Sequence, residues 1–139
     1  MTMDRTTNIL LVDDDDIDVM NVRRAFEKAN IRDPLFHAGD GLEALDMLRG
    51  GDFPSKRRLV LLDLNMPRMN GIEFLHALRT DPALQSTAVV VLTTSEAERD
   101  QIDAYDLNVA GYLVKPLRFA AFVELMMALN RYWTLMEMP

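Results

Sequence analysis

The sequence predicts an α/β protein built on a doubly wound, parallel sheet of five strands. Five short apolar runs alternate with segments whose apolar residues recur at helical spacing, and this alternation is typical of a parallel sheet covered by helices on both faces. The chain has 139 residues, of which 49% are hydrophobic and 27% charged, a make-up that suits one compact domain with its own core. We therefore expect a single domain over residues 1–139.

The strands and the first helix are predicted from periodicity. Val19, Val22 and Phe26 recur at helical spacing, which indicates a helix over residues 17–29 between the first two strands. The predicted strands are the apolar runs at residues 8–12, 35–38, 59–62, 88–92 and 111–114.

Three further helices are predicted from capping boxes, in which an N-cap side chain accepts a hydrogen bond and a Glu follows three residues later. The pairs are Asp40 with Glu43, Asn70 with Glu73, and Ser95 with Glu98. Apolar stripes follow the first two pairs, namely Leu42, Leu45 and Leu48, then Ile72, Leu75 and Leu78. The third of these helices runs to residue 105, and a last helix covers residues 118–133.

Strict alternation of strands and helices, joined by right-handed crossovers, leaves few topologies. The flavodoxin-like strand order 2-1-3-4-5 places a ligand crevice between the carboxyl ends of the first and third strands. The first strand leads into Asp13 and Asp14, and the third leads into Asp63. The sequence therefore predicts that these three carboxylates meet in one crevice.

The side chains at the strand ends suit a metal ion and a phosphoryl group. Clustered carboxylates repel one another unless a cation intervenes, and oxygen ligands without cysteine or suitably spaced histidine favour Mg²⁺ or Mn²⁺. Lys115 would be the counter-ion of the phosphoryl group, and Thr93 offers a hydroxyl at the fourth strand's end. Asp63 has no acidic neighbour in the chain, so we predict that it is the nucleophile.

Each of these side chains also has a plainer interpretation. Asp15, Asp16 and Asp18 are expected to cap the first helix and to complement its dipole. Lys115 alone would be a surface lysine whose stem lies along apolar groups. Thr93 alone would be a strand-end hydroxyl, and Tyr112 would be an amphipathic core tyrosine.

Composition excludes several classes of partner. A net charge of -7 and a pI of about 4.7 argue against binding of DNA or RNA. The absence of cysteine excludes disulfides and thiolate metal sites. The polar start of the chain has no apolar segment of the secretory kind, and no stretch approaches the ~20 apolar residues that span a bilayer. We expect a cytoplasmic protein that binds neither nucleic acid nor membrane.

Four motifs, each at a predicted strand end, together resemble the receiver domain of two-component response regulators, the CheY-like family. They are Val12-Asp13-Asp14, Leu62 to Pro67 with Asn70-Gly71, Val91 to Thr94, and Gly111 to Pro116. The resemblance covers nearly the whole chain. Only residues 117–139 follow Pro116, so we expect one receiver domain without an effector domain.

The resemblance implies a role for each residue that matches these motifs. Asp63 would accept a phosphoryl group from a histidine kinase or phosphotransfer protein. Asp13, Asp14, Asp63 and the backbone carbonyl of Asn65 would hold Mg²⁺. Thr93 and Lys115 would hold phosphate oxygens, Tyr112 would be the switch aromatic, and Asn65 and Ser95 would influence the lifetime of the phosphate. Thr94 departs from the family, where this residue is commonly small.

Within the family, three segments are most similar to regulators paired with phytochrome-type kinases: residues 8–13, residues 92–95 and Arg131-Tyr132-Trp133. This resemblance implies a stand-alone, dimer-forming receiver that a photoreceptor or related sensor kinase phosphorylates. The last helix has a core-facing stripe and a second apolar face. The stripe consists of Phe119, Phe122, Val123, Met126 and Trp133, and the second face of Leu125, Leu129, Tyr132 and Met136. We predict a homodimer through this helix, although the second face could instead belong to a tail folded back on its own domain. The interface candidates are Leu125, Leu129, Tyr132, Trp133 and Met136.

The favoured function is a phosphorylation-gated signalling module, not a turnover enzyme, whose output is contact with a downstream protein. One alternative is a phosphatase or phosphotransferase that works through an aspartyl phosphate. Haloacid dehalogenase-like enzymes of that kind need a second acid two residues after the nucleophile, where this chain has Asn65. A third possibility is an interaction module that acts without phosphate.

Overall fold

The computed structural model describes residues 6–51, 53–64, 70–93, 102 and 106–136. Within them the chain forms five strands and four helices. In chain order these are β1 Asn8–Val12, α1 Asp16–Lys28, β2 Leu35–Ala38, α2 Gly41–Arg49, β3 Arg58–Asp63, α3 Gly71–Thr80, β4 Ala88–Thr93, β5 Gly111–Val114 and α4 Phe119–Leu135. The helix predicted over residues 95–105 lies outside the described residues, apart from Ile102.

The five strands form one parallel sheet in the order β2-β1-β3-β4-β5, which confirms the predicted flavodoxin-like topology. In its register, Val12 lies beside Leu62, and Asp63 lies beside Leu92. Thr93 in turn lies beside Val114. Because the register is staggered so little, the residues that end β1, β3, β4 and β5 lie along one edge of the sheet.

Helices cover both faces of the sheet and bury two apolar clusters. Successive strand residues point to opposite faces, so Leu10 and Val60 pack with α2 and α3, whereas Ile9 and Leu59 pack with α1 and α4. All four of these side chains have no exposed surface. Burial on both faces explains why the strands read as continuous apolar runs and not as alternating ones.

The helix starts follow the predicted caps, with one difference. Asn70 and Glu73 form a full capping box at α3. At α2, Asp40 accepts from the backbone N–H of Glu43 at 2.9 Å, but the Glu43 carboxylate accepts from Gly39 and not from the N-cap residue. The predicted apolar stripe of α2 is also displaced, because Leu42 is exposed and Ala44 packs in the core with Leu45 and Leu48.

The last helix corrects part of the predicted dimer interface. The buried residues of α4 are Phe122, Met126, Leu129 and Trp133. Trp133 is fully buried, packs its ring 5.9 Å from that of Phe26 and donates its indole N–H to Asp33 at 3.2 Å. Its assignment to an interface is wrong, because its helical spacing from Met126 and Leu129 turns it toward the sheet.

The other interface candidates differ in exposure. Leu129 is buried and contributes only to the lining of an apolar groove beside β5, which Leu125 and Tyr132 also line. Tyr132 is 50% exposed, whereas Leu125 and Met136 are half-buried. Arg57 donates to the carbonyls of Trp133 and Met136 at 2.8 and 3.0 Å, so the end of α4 is fixed to its own domain. None of the four described helices is long and apolar enough to cross a membrane.

Candidate functional site

Three carboxylates meet at the carboxyl ends of β1 and β3. Asp13 and Asp14 follow β1, and Asp63 is the last residue of β3. One carboxylate oxygen from each lies within 4.8 Å of the others. Asp13 and Asp63 are only 1% and 9% exposed, whereas Asp14 is exposed. The structure therefore brings together the three acids that the sequence predicted to share a crevice, and it leaves one side open.

Backbone contacts fix the position of Asp13. Its N–H donates to the carbonyl of Ala38 at 3.1 Å, and its carboxylate accepts from the N–H of Asp15 at 2.9 Å. The Nε2 atom of His37 lies 2.8 Å from the Asp13 carbonyl. Since a carbonyl only accepts, Nε2 must carry the proton of the imidazole. The first acid of the cluster is thus held by contacts from β2 and from the start of α1.

A close approach of two backbone segments fixes the residue after Asp63. The N–H of Gly71 donates to the carbonyl of Leu64 at 2.9 Å. A β-carbon at Gly71 would lie 2.6 Å from the α-carbon of Leu64 and 3.0 Å from the carbonyl oxygen of Asp63. Only glycine therefore lets the start of α3 pack so closely against the end of β3.

Thr93 and Lys115 complete the row of strand ends. The backbone N–H of Lys115 donates to the carbonyl of Thr93 at 2.7 Å, which places the two residues side by side. Thr93 is 1% exposed. The ammonium of Lys115 lies 3.2 Å from a carboxylate oxygen of Asp18 and 3.7 Å from one of Asp13. One cation is therefore held against the acidic cluster by two carboxylates.

Burial and charge set the protonation of the site. Burial raises the pKa of Asp13 to about 7, an effect that the Asp15 N–H and the Lys115 ammonium oppose and that the charges of Asp63 and Asp18 increase. For Lys115, burial alone would lower the pKa, but Asp13, Asp63 and Asp18 together raise it above its ordinary value. Lys115 therefore stays protonated at neutral pH, while the Asp13 carboxyl takes up and releases a proton there.

The acidic cluster could hold a divalent cation. Each carboxylate offers one oxygen, and Mg²⁺ and Mn²⁺ prefer oxygen ligands from one or more carboxylates with the remaining positions held by water. The exposed Asp14 leaves room for that water. A bound cation would also favour the charged form of Asp13, which burial and the charges of Asp63 and Asp18 disfavour.

The remaining predicted site residues either lie within a strand, packed against an apolar cluster, or lie outside the described residues. Tyr112 lies on β5, where it is half-buried against the apolar cluster under α2 and α3. Asn65, Thr94 and Ser95 lie outside the described residues. The roles inferred for these residues from the family remain predictions.

Two contacts of the site were missed by the sequence interpretation. His37 carried no recognisable signal. Asp18 was interpreted as a capping acid, and its own N–H does approach the N-cap Asp15 at 3.4 Å, but its carboxylate binds Lys115. A signal for Asp18 did exist, because it lies four residues before the buried Val22 and therefore on the face of α1 that packs against the sheet.

Comparisons with known proteins agree with this geometry. The family model described as "Response regulator receiver domain" matches residues 9–127. The probable methanogenesis regulatory protein FilR2 of Methanothrix harundinacea is 39% identical over 127 residues, which cover 90% of this chain and 82% of that protein. Response regulator Rcp1 of Synechocystis is 35% identical over 128 residues, which cover 90% of this chain and 87% of that protein.

Two solved structures are similar over almost their whole length. The phosphorylated cyanobacterial phytochrome response regulator RcpA has a TM-score of 0.79 and 31% identity, and the match covers 96% of this chain and 99% of that one. The Mn²⁺-bound form of response regulator Rcp1 has a TM-score of 0.76 and 33% identity, with 94% and 97% covered. Both the sequence and the fold of these proteins therefore match this chain.

Proposed function

This chain belongs to the response regulator receiver domain family, and from that membership we propose that Asp63 accepts the phosphoryl group of a phosphorelay. The observation that carries the proposal is the row of strand ends, with Asp63 beside Asp13 and Asp14 and with Thr93 and Lys115 following on the next strands. A carboxylate, a cation site and a lysine in one crevice are what phosphoryl transfer to an aspartate requires, because positioning and charge neutralisation dominate that reaction.

In the proposed reaction, an oxygen of the Asp63 carboxylate forms a bond to phosphorus. The bond between phosphorus and the histidine nitrogen of the donor breaks, and the imidazole leaves with the electron pair. Asp63 is suited to attack because it is nine-tenths buried, so little water competes with the donor. The protonated Lys115 neutralises part of the charge that the phosphoryl group brings into the crevice.

The same site is proposed to hold Mg²⁺, with Mn²⁺ as a substitute. Asp13, Asp14 and Asp63 would provide carboxylate oxygens, and the backbone carbonyl of Asn65 would provide a fourth ligand. When bound, the cation supplies neutralisation of the phosphoryl oxygens. The Mn²⁺-bound form of Rcp1, a related protein, supports the choice of cation.

Phosphorylation is proposed to change a protein–protein contact surface. Thr93 and Lys115 would each bind a phosphate oxygen, and Tyr112 would turn inward as Thr93 is drawn toward the phosphate. Asn65 and Ser95 would influence how long the phosphate survives. These roles rest on family membership and on the position of Thr93 beside Lys115.

The proposed partners are a sensor histidine kinase or a phosphotransfer protein as donor and a downstream protein as recipient. The similarity to the phytochrome response regulator RcpA supports a donor kinase of the phytochrome type. A homodimer is proposed through the part of α4 that remains accessible, with Leu125, Tyr132 and Met136 as its contact residues. We also propose that this receiver domain acts in the cytoplasm as a signalling module and not as a turnover enzyme.

Phosphotransfer to purified protein tests the proposal. The parent chain is incubated with acetyl phosphate and Mg²⁺, and covalent phosphate is measured by intact-protein mass spectrometry as a gain in mass. Loss of this added mass on treatment with hydroxylamine identifies the product as an acyl phosphate. We expect labelling of the parent, none with EDTA, and none in Asp63→Asn. Asp46→Asn, which removes an acid on α2 away from the strand ends, is the matched control and should be labelled normally.

Labelling of Asp63→Asn at the parental rate would contradict the assignment of Asp63. Labelling that persists in EDTA would contradict the metal role of the acidic cluster. Continuous release of phosphate over many turnovers, at a rate typical of an enzyme, would instead favour the aspartyl-phosphate phosphatase.

A further inference from the structure

The contact that the proposed function does not explain is the ion pair between Lys115 and Asp18. The ammonium of Lys115 lies 3.2 Å from Asp18, which is closer than its 3.7 Å distance to Asp13 of the acidic cluster. Asp18 belongs to the first turn of α1, so a helix and not a loop holds its carboxylate in place. A lysine expected to bind phosphate therefore already makes a hydrogen bond to an acid outside the predicted metal ligands.

The two side chains of the pair differ in burial. The side chain of Lys115 is 14% exposed, whereas that of Asp18 is 37% exposed. An ammonium has three donors and no acceptor, and in so buried a position it gains most of its stabilisation from the carboxylates around it. A phosphoryl group on Asp63 would then compete with Asp18 for the position of this ammonium.

Building on the proposed function, we propose that Asp18 is a positioning residue that binds Lys115 in the unphosphorylated protein and competes with the phosphoryl group for it. Asp18 thereby sets how strongly the site holds a phosphoryl group, without touching that group itself. Asp13 differs from Asp18 because its carboxylate would also be a ligand of the proposed cation.

When Lys115 moves away, the Asp18 carboxylate is not left buried without a partner. Asp18 and Lys115 line one cavity of about 270 Å³ between α1 and the segment that follows β5. Arg24 and Arg118 line the same cavity, and the guanidinium of Arg24 is positioned 5.2 Å above the ring of Phe119. The Asp18 side chain is 37% exposed, so solvent can reach its carboxylate when Lys115 turns to the phosphoryl group.

The size of the competition follows from the exposure of Asp18. Ion pairs between partly exposed groups contribute little because solvent screens them. We expect removal of the Asp18 charge to tighten binding of a phosphoryl mimic by up to about fivefold, because exposed pairs of this kind contribute at most about 1 kcal/mol. The direction excludes a merely structural role, because loss of a structural contact would weaken binding.

Beryllofluoride, which mimics a phosphoryl group on an aspartate, provides the measurement. Its apparent dissociation constant is determined by fluorine NMR at saturating Mg²⁺ for the parent, Asp18→Asn and Asp16→Asn. Asp16 is the matched control, because it is an exposed acid in the same turn of α1 and carries the same charge. Asp18→Ser replaces Asp18→Asn if thermal melting shows that the latter does not fold.

A double-mutant cycle with Lys115→Met separates competition from a general electrostatic effect. We expect Asp18→Asn to tighten beryllofluoride binding in the parent and to have no effect in the Lys115→Met background, with Asp16→Asn unchanged in both. Equal effects of Asp18→Asn and Asp16→Asn, or weaker binding in Asp18→Asn, overturn the inference while leaving the proposed function intact. Failure of the parent to bind beryllofluoride with Mg²⁺ overturns the proposed function, and the inference with it.

Discussion

Substitution of Gly71 by alanine is expected to damage both the stability and the reactivity of the site. The new β-carbon would lie 2.6 Å from the α-carbon of Leu64, whereas ordinary contacts of this kind begin at 3.4 Å. The two segments must therefore separate by about 0.8 Å, a distance that follows from these two values. Because two of the crowded atoms, the α-carbon of Leu64 and the carbonyl oxygen of Asp63, belong to the backbone, no side-chain rotation relieves the contact.

The expected change in the free energy of unfolding has two opposing contributions. Overpacking of this kind costs about 1–3 kcal/mol, and the rigid neighbour places Gly71→Ala in the upper part of that range. Replacing a helical glycine by alanine returns about 0.5–1 kcal/mol through helix propensity and chain entropy. We expect a net loss of about 1–2 kcal/mol in the free energy of unfolding, measured by urea denaturation.

The effect on phosphorylation should be larger than the effect on stability. Leu64 follows Asp63 directly, so the separation moves this proposed phosphoacceptor relative to Asp13 and Asp14. A misplacement near 1 Å reduces reaction rates by about 100-fold, and partial relaxation leads us to expect Asp63 to be phosphorylated about 10- to 100-fold more slowly by acetyl phosphate. The rate is measured on protein that circular dichroism shows to be folded.

Gly51→Ala is the matched control for this substitution. A β-carbon at Gly51 would meet no atom within 4 Å, so this variant should be as stable as the parent or slightly more so. A Gly71→Ala protein that unfolds at the parental urea concentration and is phosphorylated within twofold of the parental rate would refute the close-approach argument.

Three further predictions concern the rest of the domain. Arg79→Met should lower the free energy of unfolding by about 2–4 kcal/mol, because the guanidinium donates to four backbone carbonyls. These are the carbonyls of Gln85, Thr87, Leu107 and Asn108. Urea denaturation measures the change, with the exposed-site variant Arg23→Met as control. Without metal, the raised pKa of Asp13 gives the folded protein stability that is fully present below pH 3.8 and is lost as the pH rises toward 7. As the pH rises from 4 to 7, the melting temperature of Asp13→Asn should therefore increase relative to that of the parent, and Mg²⁺ should stabilise only the parent. Melting temperatures that change equally with pH in the two proteins would contradict this. Trp133→Phe should lower stability without changing the oligomeric state, whereas Tyr132→Glu should weaken a dimer without unfolding the chain; sedimentation velocity that shows a monomer for the parent, with and without phosphate, would remove the dimer.

The fold was largely predictable because its signals are local. Burial on both faces makes the strands continuous apolar runs, and the caps at Asp40 and Asn70 involve residues only three apart. The crevice was predictable as well, since parallel strands in this order must bring the residues after β1 and β3 to one edge. Leu42 was assigned wrongly because periodicity gives the spacing of an apolar stripe but not its limits.

Pattern alone could not resolve the last helix. It is apolar on more than one side, so several stripes fit its sequence equally well. Packing against Phe26 and the hydrogen bond to Asp33 select the stripe that contains Trp133. Both partners lie about a hundred residues earlier in the chain, beyond the reach of any local signal.

The sequence by itself determined the fold class, the strand order and the acids, threonine and lysine of the candidate site, because each depends on neighbouring residues or on the topology of parallel strands. Only the tertiary structure decided which carboxylate Lys115 binds. Asp18 and Lys115 are separated by 97 residues, and their contact depends on how α1 packs beside the end of β5. That placement results from the packing of the whole core, so an acid that resembles a helix cap in the sequence is the partner of the lysine proposed to bind phosphate.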